Sequence, residues 1–304
     1  HASEQDVRVA YATRAGSFGA DYTGEFHREN SGSYFRLYAV GSGLDFLHYY
    51  GAGNETKSIE EEDYYKVKHT EYIVEPSYMV PLGRKWTMAM HVSTEYSKTD
   101  LGNHFITTEL PYGVEDFFQL GAGTGLSLDT RNSKVAATRG LHINADGTVF
   151  PEVGAVNETF GEVHGDISIH QPIPVFSTPT LSLRAGGKQV WGDYPYHEAA
   201  YIGGSGTLRG FPRQRFAGDA SLFGNAELRI PLTRVYIFVP GSLGVYGLVD
   251  TGRVFLQGES STKWHTAAGG GVWFSFLSQT NTACVSVAAS DEGMLFIDQR
   301  GKIL

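Results

Sequence analysis

Residues 203–216 read GGSGTLRGFPRQRF, a glycine-rich stretch that carries Arg209, Arg213 and Arg215 beside Phe211 and Phe216. Three chemistries can be built from residues of these types. Glycine-rich backbone can cradle a phosphate. A serine in a GxSxG turn can act as an exposed nucleophile. An arginine removed from water can grip carboxylates through its planar fork of donors, a geometry lysine does not reproduce. The nucleophile reading fails because GGSGT ends in Thr207 where the motif needs glycine, and no helical pattern follows. The nearby GAGTGL at 121–126 fails as a dinucleotide fingerprint, since Leu126 replaces the last glycine and the stretch lies within a strand pattern. For the third chemistry strand parity offers Glu227 and Asp250 as candidate partners. Strand parity places Glu227 on the polar face of its segment, and Asp250 on the same face as Tyr246 in the next. Arg209 forking onto both carboxylates competes with a plainer alternative, a solvent-exposed loop whose arginines touch nothing.

The elements that must position these residues are strands. Period-two alternation recurs along the chain, as in 18–29, 63–80, 85–97, 118–130, 139–150, 160–173, 179–192, 220–232 and 243–255, broken by Gly, Asn, Asp, Ser and Pro. In 220–232, Leu222, Ala226, Leu228 and Ile230 alternate with Asn225, Glu227 and Arg229. In 243–255, Val245, Gly247, Val249 and Thr251 alternate with Tyr246, Leu248, Asp250 and Gly252. One apolar face and one polar face, on segments long enough to tilt across a bilayer, favour a transmembrane antiparallel β-barrel over a soluble β-protein, whose strands are usually shorter. The expected all-β fold has roughly sixteen strands, with fourteen as the alternative if 33–50 stays whole instead of turning at Gly41–Gly43. Phe18, Phe26, Tyr64, Tyr65, Tyr78, Phe117, Phe118, Phe150, Tyr201 and Phe255 are candidates for interfacial girdles.

Composition agrees with this reading. The 304 residues include 38 Gly, 17 Tyr and 18 Phe, and no apolar run reaches the ~20 residues of a membrane helix. Such a run is not required, because a closed barrel satisfies its own backbone in lipid. A net charge of −9 gives nucleic acid no electrostatic footing. The lone Cys284 forbids an intrachain disulfide and a thiolate zinc site. Eleven histidines include no HExxH pair, so neither cofactor nor metal is expected. The whole of 1–304 reads as a single outer-membrane barrel domain, with residues 1–4 resembling a trimmed end or a cloning remnant.

Three pieces, in order, resemble the BamA/TamA superfamily of outer-membrane assembly and secretion barrels. GGSGTLRGF is similar to the family's (V/I/L)RG(F/Y) motif on a long extracellular loop folded into the lumen. GNAELRIPL (224–232) and GLVDTGRVF (247–255) resemble its next two strands, and GLSLDTRNSKVAATRG (125–140) resembles its DTRD…PTRG hairpin. The resemblance implies a bacterial outer-membrane barrel, bathed in outer-membrane lipid, that inserts, translocates or secretes a client or fused passenger protein and is itself no enzyme. It also implies a loop lock made of Arg209, Gly210, Phe211, Glu227, Asp250 and Gly252. In that lock Gly210 turns the backbone and Phe211 fills space beside the ion pair. The mechanism would rest on a seam between the first strand, about 5–14, and the last, about 293–301. The sequence departs from the family at Leu248, which stands where the family has an aromatic two residues before the aspartate, and at its end, RGKIL, which lacks the terminal Phe. YYGAGNET (49–56) resembles members fused to a patatin-like phospholipase or a metallophosphoesterase. Upstream POTRA or hydrolase domains and the oligomeric state stay open. So do two rival functions, a rim enzyme using residues such as His197 and Asp193, and a plain porin or anchor.

Overall fold

The computed structural model describes residues 2–12, 17–28, 31–58, 61–237, 239–278 and 280–300. Its frame is one antiparallel sheet of fourteen strands among the described residues. In chain order it begins with β1 (Ala2–Ala12), β2 (Ser17–His27), β3 (Tyr34–His48), β4 (Lys66–Leu82), β5 (Trp86–Asp100) and β6 (Phe117–Asp129). It continues with β7 (Gly140–Phe150), β8 (Phe160–Pro172) and β9 (Thr180–Trp191). Two short strands, β10 (Ala200–Ile202) and β11 (Phe216–Gly218), form a separate two-stranded sheet. The large sheet resumes with β12 (Ala220–Ile237), β13 (Val239–Phe255), β14 (His265–Phe276), β15 (Thr282–Ser290) and β16 (Gly293–Arg300). Each strand lies beside its sequence neighbour, except that β9 pairs with β12.

The count is the lower of the two expected. Gly41, Ser42 and Gly43 do not turn the chain. They stay within β3, where the ladder to β4 slips between Ser42 and Asp45. A bulge absorbs the irregular residues locally while the strand continues.

The two faces are inverted relative to a soluble sheet. On β8, Ile167 and Ile169 are 46% and 47% exposed, whereas Ser168 and His170 between and beside them are buried. On β12, Leu222 and Leu228 face outward while Ser221, Asn225, Glu227 and Arg229 are buried. Val249, Val272 and Val285 continue the outward apolar band. Apolar residues outside and polar ones inside suit a wall whose outer solvent is lipid.

The apolar core sits at one end of the barrel, between long loops and the inner wall. The connections β3–β4, β5–β6, β9–β12 and β13–β14 all emerge there, and the other end has shorter turns such as 83–85 and 173–179. That asymmetry marks the long-loop end as the extracellular one. Leu47, Tyr49, Val67, Ile106, Val114 and Tyr196 form one cluster, and Phe117, Phe150, Val156, Phe160, Val190 and Ala200 another. Two one-turn helices, α1 (Glu62–Tyr65) and α2 (Ile106–Glu109), lie within these loops. The expected girdle is therefore halved. Phe18, Phe26, Tyr78, Phe118 and Phe255 face outward, but Tyr65, Phe117 and Phe150 are buried under the loops, and Tyr64 and Tyr201 are only partly exposed. Toward the short-turn end the lumen keeps a cavity of ≈520 Å³, lined in part by Ala136, Arg229, Pro240, Trp273 and Ser275.

β1 and β16 are the two end strands of the sheet. Every side chain of β1 from Ser3 to Tyr11 is exposed, on both faces. Of the expected seam, residues 13, 14 and 301 lie outside the described residues, as does the terminal Lys302–Leu304.

Candidate functional site

The β9–β12 connection builds the site. β10 and β11 pair with Ala200 opposite Gly218 and Ile202 opposite Phe216, so residues 203–215 form the tip of a hairpin. The tip is tied into a knot by its own backbone. Gly204 N donates to Phe211 O at 3.0 Å, and Leu208 N to Gly204 O at 3.2 Å. Thr207 Oγ1 accepts from Gly203 N at 2.8 Å. Gly203, Gly204 and Gly210 take φ values of 127°, 74° and 95°, a region glycine enters without steric cost. Leu208 and Phe211 are thereby turned inward and packed with Ile202, Phe216, Val254 and Ala267.

Arg209 stands at the centre of this tip with its side chain 4% exposed, and the side chains of Glu227 and Asp250 are fully buried. Its Nε and Nη2 donate to the two oxygens of Asp250, each at 2.8 Å, and its Nη1 donates to Glu227 Oε2 at 2.6 Å. The backbone N of Arg209 adds a fourth bond to Asp250 Oδ2 at 2.9 Å. The fork is thus bidentate on Asp250, with Glu227 taking the remaining arm. Burial alone would pull the Arg209 pKa down, but the hydrogen bond and charge of Asp250, with the charge of Glu227, hold it above its ordinary value. Desolvation is offset only because both anions lie within bonding distance.

The wall explains the small residues. A Cβ on Gly210 would come within 2.8 Å of Ala267 Cβ and 3.4 Å of Ala288 Cβ, and Gly210 O accepts from Ser290 Oγ at 2.8 Å. The tip therefore presses on β14 and β15. A Cβ on Gly252 would lie 3.1 Å from Leu222 O and 3.3 Å from Ile202 Cδ1, so Gly252 leaves room for the hairpin's base. Phe211 meets Phe216 and His265 edge-on, each at 5.6 Å between centroids. Leu248, buried beside Tyr246, Cys284 and Ala288, lies deeper along the same inner face as Asp250. Among the described residues no aromatic ring stacks on the Arg209 guanidinium.

The two other arginines of the tip part company. Arg213 is exposed, whereas Arg215 is buried and anchors a second contact. Its Nε donates to Glu292 Oε2 at 2.8 Å, and its Nη1 and Nη2 donate to Thr56 Oγ1 and O at 2.7 and 2.6 Å. Its guanidinium also lies over the rings of Tyr50 and Phe216, at 4.8 and 4.5 Å. Arg215 thus joins the tip to the β3–β4 loop and to the β15–β16 turn. The same loop plugs in through Asn54, which accepts from Val254 N at 2.9 Å and donates to Lys263 O at 2.9 Å. His265 Nε2 lies 2.7 Å from Asn54 O, and Gly53 bridges to Ala217. Nothing in the spacing of residues 54–56 relates them to Val254, Lys263 or His265, which come from a distant part of the chain.

Of the two rim candidates, Asp193 is exposed, while the His197 side chain is 4% exposed and faces Glu95. The structure does not bring the pair together. Burial, then the nearby His69 and Lys188, pushes the His197 imidazole down to about 3.

The sequence matches the Omp85 superfamily domain over residues 6–280. No curated protein matches the chain significantly. Among solved structures, the crystal structure of BamA from Haemophilus ducreyi lacking POTRA domains 1-3 is similar, with a TM-score of 0.62 and 14% identity. That similarity covers 98% of this chain and 69% of that one and is a likeness of fold. With its family domain spanning most of its length, the chain belongs to the Omp85 superfamily and is a β-barrel protein of the bacterial outer membrane.

Proposed function

We propose that this barrel inserts or translocates protein clients, or a passenger fused to it, and that the tip at 203–215 is a lumen lock set by Arg209, Glu227 and Asp250. The observation that carries the reading is the contrast between the two parts of the wall. The tip is held by four hydrogen bonds from one buried arginine to Asp250 and Glu227. The end strand β1, by comparison, is exposed on both faces. A firmly plugged lumen beside a weakly covered sheet end favours passage along the seam over diffusion through the pore, because an edge strand offers unpaired donors and acceptors to an incoming strand. Arg215 supports the same reading, since Glu292 sits immediately before β16, the other end strand.

The test is an insertion assay in liposomes. A small heat-modifiable outer-membrane barrel, unfolded in urea, is added to vesicles with and without this protein, and its folding is followed by gel shift. Faster folding in protein-containing vesicles is expected. Its suppression by a disulfide between β1 and β16, introduced after Cys284→Ala, would place the action at the seam. Equal folding rates with and without the protein would overturn the proposal.

A further inference from the structure

Away from the Arg209 lock, the base of the same loop carries a second buried polar group. Tyr196–Glu198 form a single 3-10 turn inside the barrel mouth, fixed by Tyr196 OH at 2.8 Å from Thr99 Oγ1 of β5 and by Tyr201 OH donating to Tyr196 O at 2.7 Å. The turn presents His197 and Glu198 to the inner faces of β5, β6, β8 and β9. Gln119 Nε2 of β6 donates to Glu95 Oε2 at 2.9 Å and to Glu198 Oε1 at 2.6 Å, drawing the two carboxylates together. Lys188 pairs with Glu198 at 3.2 Å and more closely with Glu162, which in turn lies 3.5 Å from His164.

Two features of this group are left unbalanced by the protein alone. Three carboxylates, those of Glu95, Glu162 and Glu198, share one lysine, Lys188, and the imidazole of His164 beside Glu162, in a place largely shielded from water. Buried charge of one sign is costly unless it is neutralised. The second is His197. Its side chain is 4% exposed, its Nε2 is 3.9 Å from Glu95 Oε1, and neither ring nitrogen has a hydrogen-bond partner. Its ring is held edge-on by Phe117 and Tyr196, at 5.4 Å from each. Buried imidazole nitrogens are ordinarily paired, so an idle ring whose Nε2 faces the Glu95 carboxylate calls for a partner.

We propose that Glu95, His197 and Glu198 bind a divalent transition-metal cation of the zinc class, which staples the long loop to the wall at β5. The three ligand atoms lie within 4.8 Å of one another, and ligands about 2 Å from a shared ion would draw that triangle in through small side-chain rotations. One imidazole nitrogen and two carboxylate oxygens form a mixed donor set suited to Zn²⁺, with one position left for water. Gln119 and Lys188 orient the carboxylates from outside the ligand set, the role outer partners play at metal centres. Glu95 stands far from His197 in sequence, so no ligand spacing announces the site. The inference is independent of the client-insertion reading, because its readout is metal content and not transport.

The experiment uses the protein folded in detergent, stripped with a chelator and carrying no affinity tag. Equilibrium dialysis against Zn²⁺ followed by elemental analysis is expected to give about one bound equivalent. His197→Gln and Glu95→Gln should each lower the affinity about 10-fold or more, while His27→Ala, at the end of β2 opposite Tyr34, leaves it unchanged. Folding of each variant is checked by its heat-dependent gel shift. Should the His197 variant fail to fold, Co²⁺ titration of the unmodified protein decides the matter. Visible d–d bands saturating at about one equivalent, without thiolate charge transfer, are expected. Absence of those bands, or equal Zn²⁺ uptake by the unmodified protein and a folded His197→Gln, would overturn the proposal.

Discussion

At Arg209 the decisive quantity is the number of donors satisfied. Three guanidinium bonds and one backbone bond end on two fully buried carboxylates. Removing one partner of such a group strands the other charges without water, which costs about 3–5 kcal/mol. Arg209→Ala is therefore expected to open 203–215 to protease in the folded barrel and to lower its unfolding midpoint in urea. Arg209→Lys should rescue only a minor part, because a single ammonium cannot span both Asp250 oxygens and Glu227. Gly210→Ala is expected to weaken the lock by about 1–3 kcal/mol through strain at φ 95° and contact with Ala267, visible as faster cleavage of the same loop. The contacts of Arg209 with Glu227 and Asp250 were legible in the sequence. Arg209 lies in a family-like motif, and parity alone puts Glu227 and Asp250 on inward faces. Arg215 was not legible, because its partners Thr56 and Glu292 come from distant loops that no periodicity relates.

At the scale of elements, the alternation of strands was readable because membrane barrels enforce it residue by residue, as Ile167, Ser168, Ile169 and His170 display. What could not be read was the fate of irregular pieces. Gly41–Gly43 looks like a turn but continues β3, with the ladder slipping only after Ser42, and the aromatics near strand ends divide between lipid and the loop-packed core according to tertiary contacts. The hairpin β10–β11 was equally hidden, since its strands span only Ala200–Ile202 and Phe216–Gly218. A prediction belongs to this level. Arg215→Ala removes the tie between the tip and the β15–β16 turn but touches neither Asp250 nor Glu227. Amide exchange should then rise at 290–296, with the β12–β13 ladder unchanged. Uniform exchange across both regions would mean that Arg215 does not brace the end strand.

For the molecule as a whole, the inverted faces, the loop-packed mouth and the exposed end strand fit the proposed reading, in which the barrel is closed along its axis and opens along one side. A porin would need the opposite, an open axis and an even wall. On the proposed reading the inward loop plugs the lumen and Arg209 holds it there. Single-channel recording in planar bilayers decides between this and an open pore. The unmodified protein is expected to give small, flickering conductance, and Arg209→Ala a severalfold larger, longer-lived opening. Large, steady pores from the unmodified protein, or identical traces from the two, would contradict it.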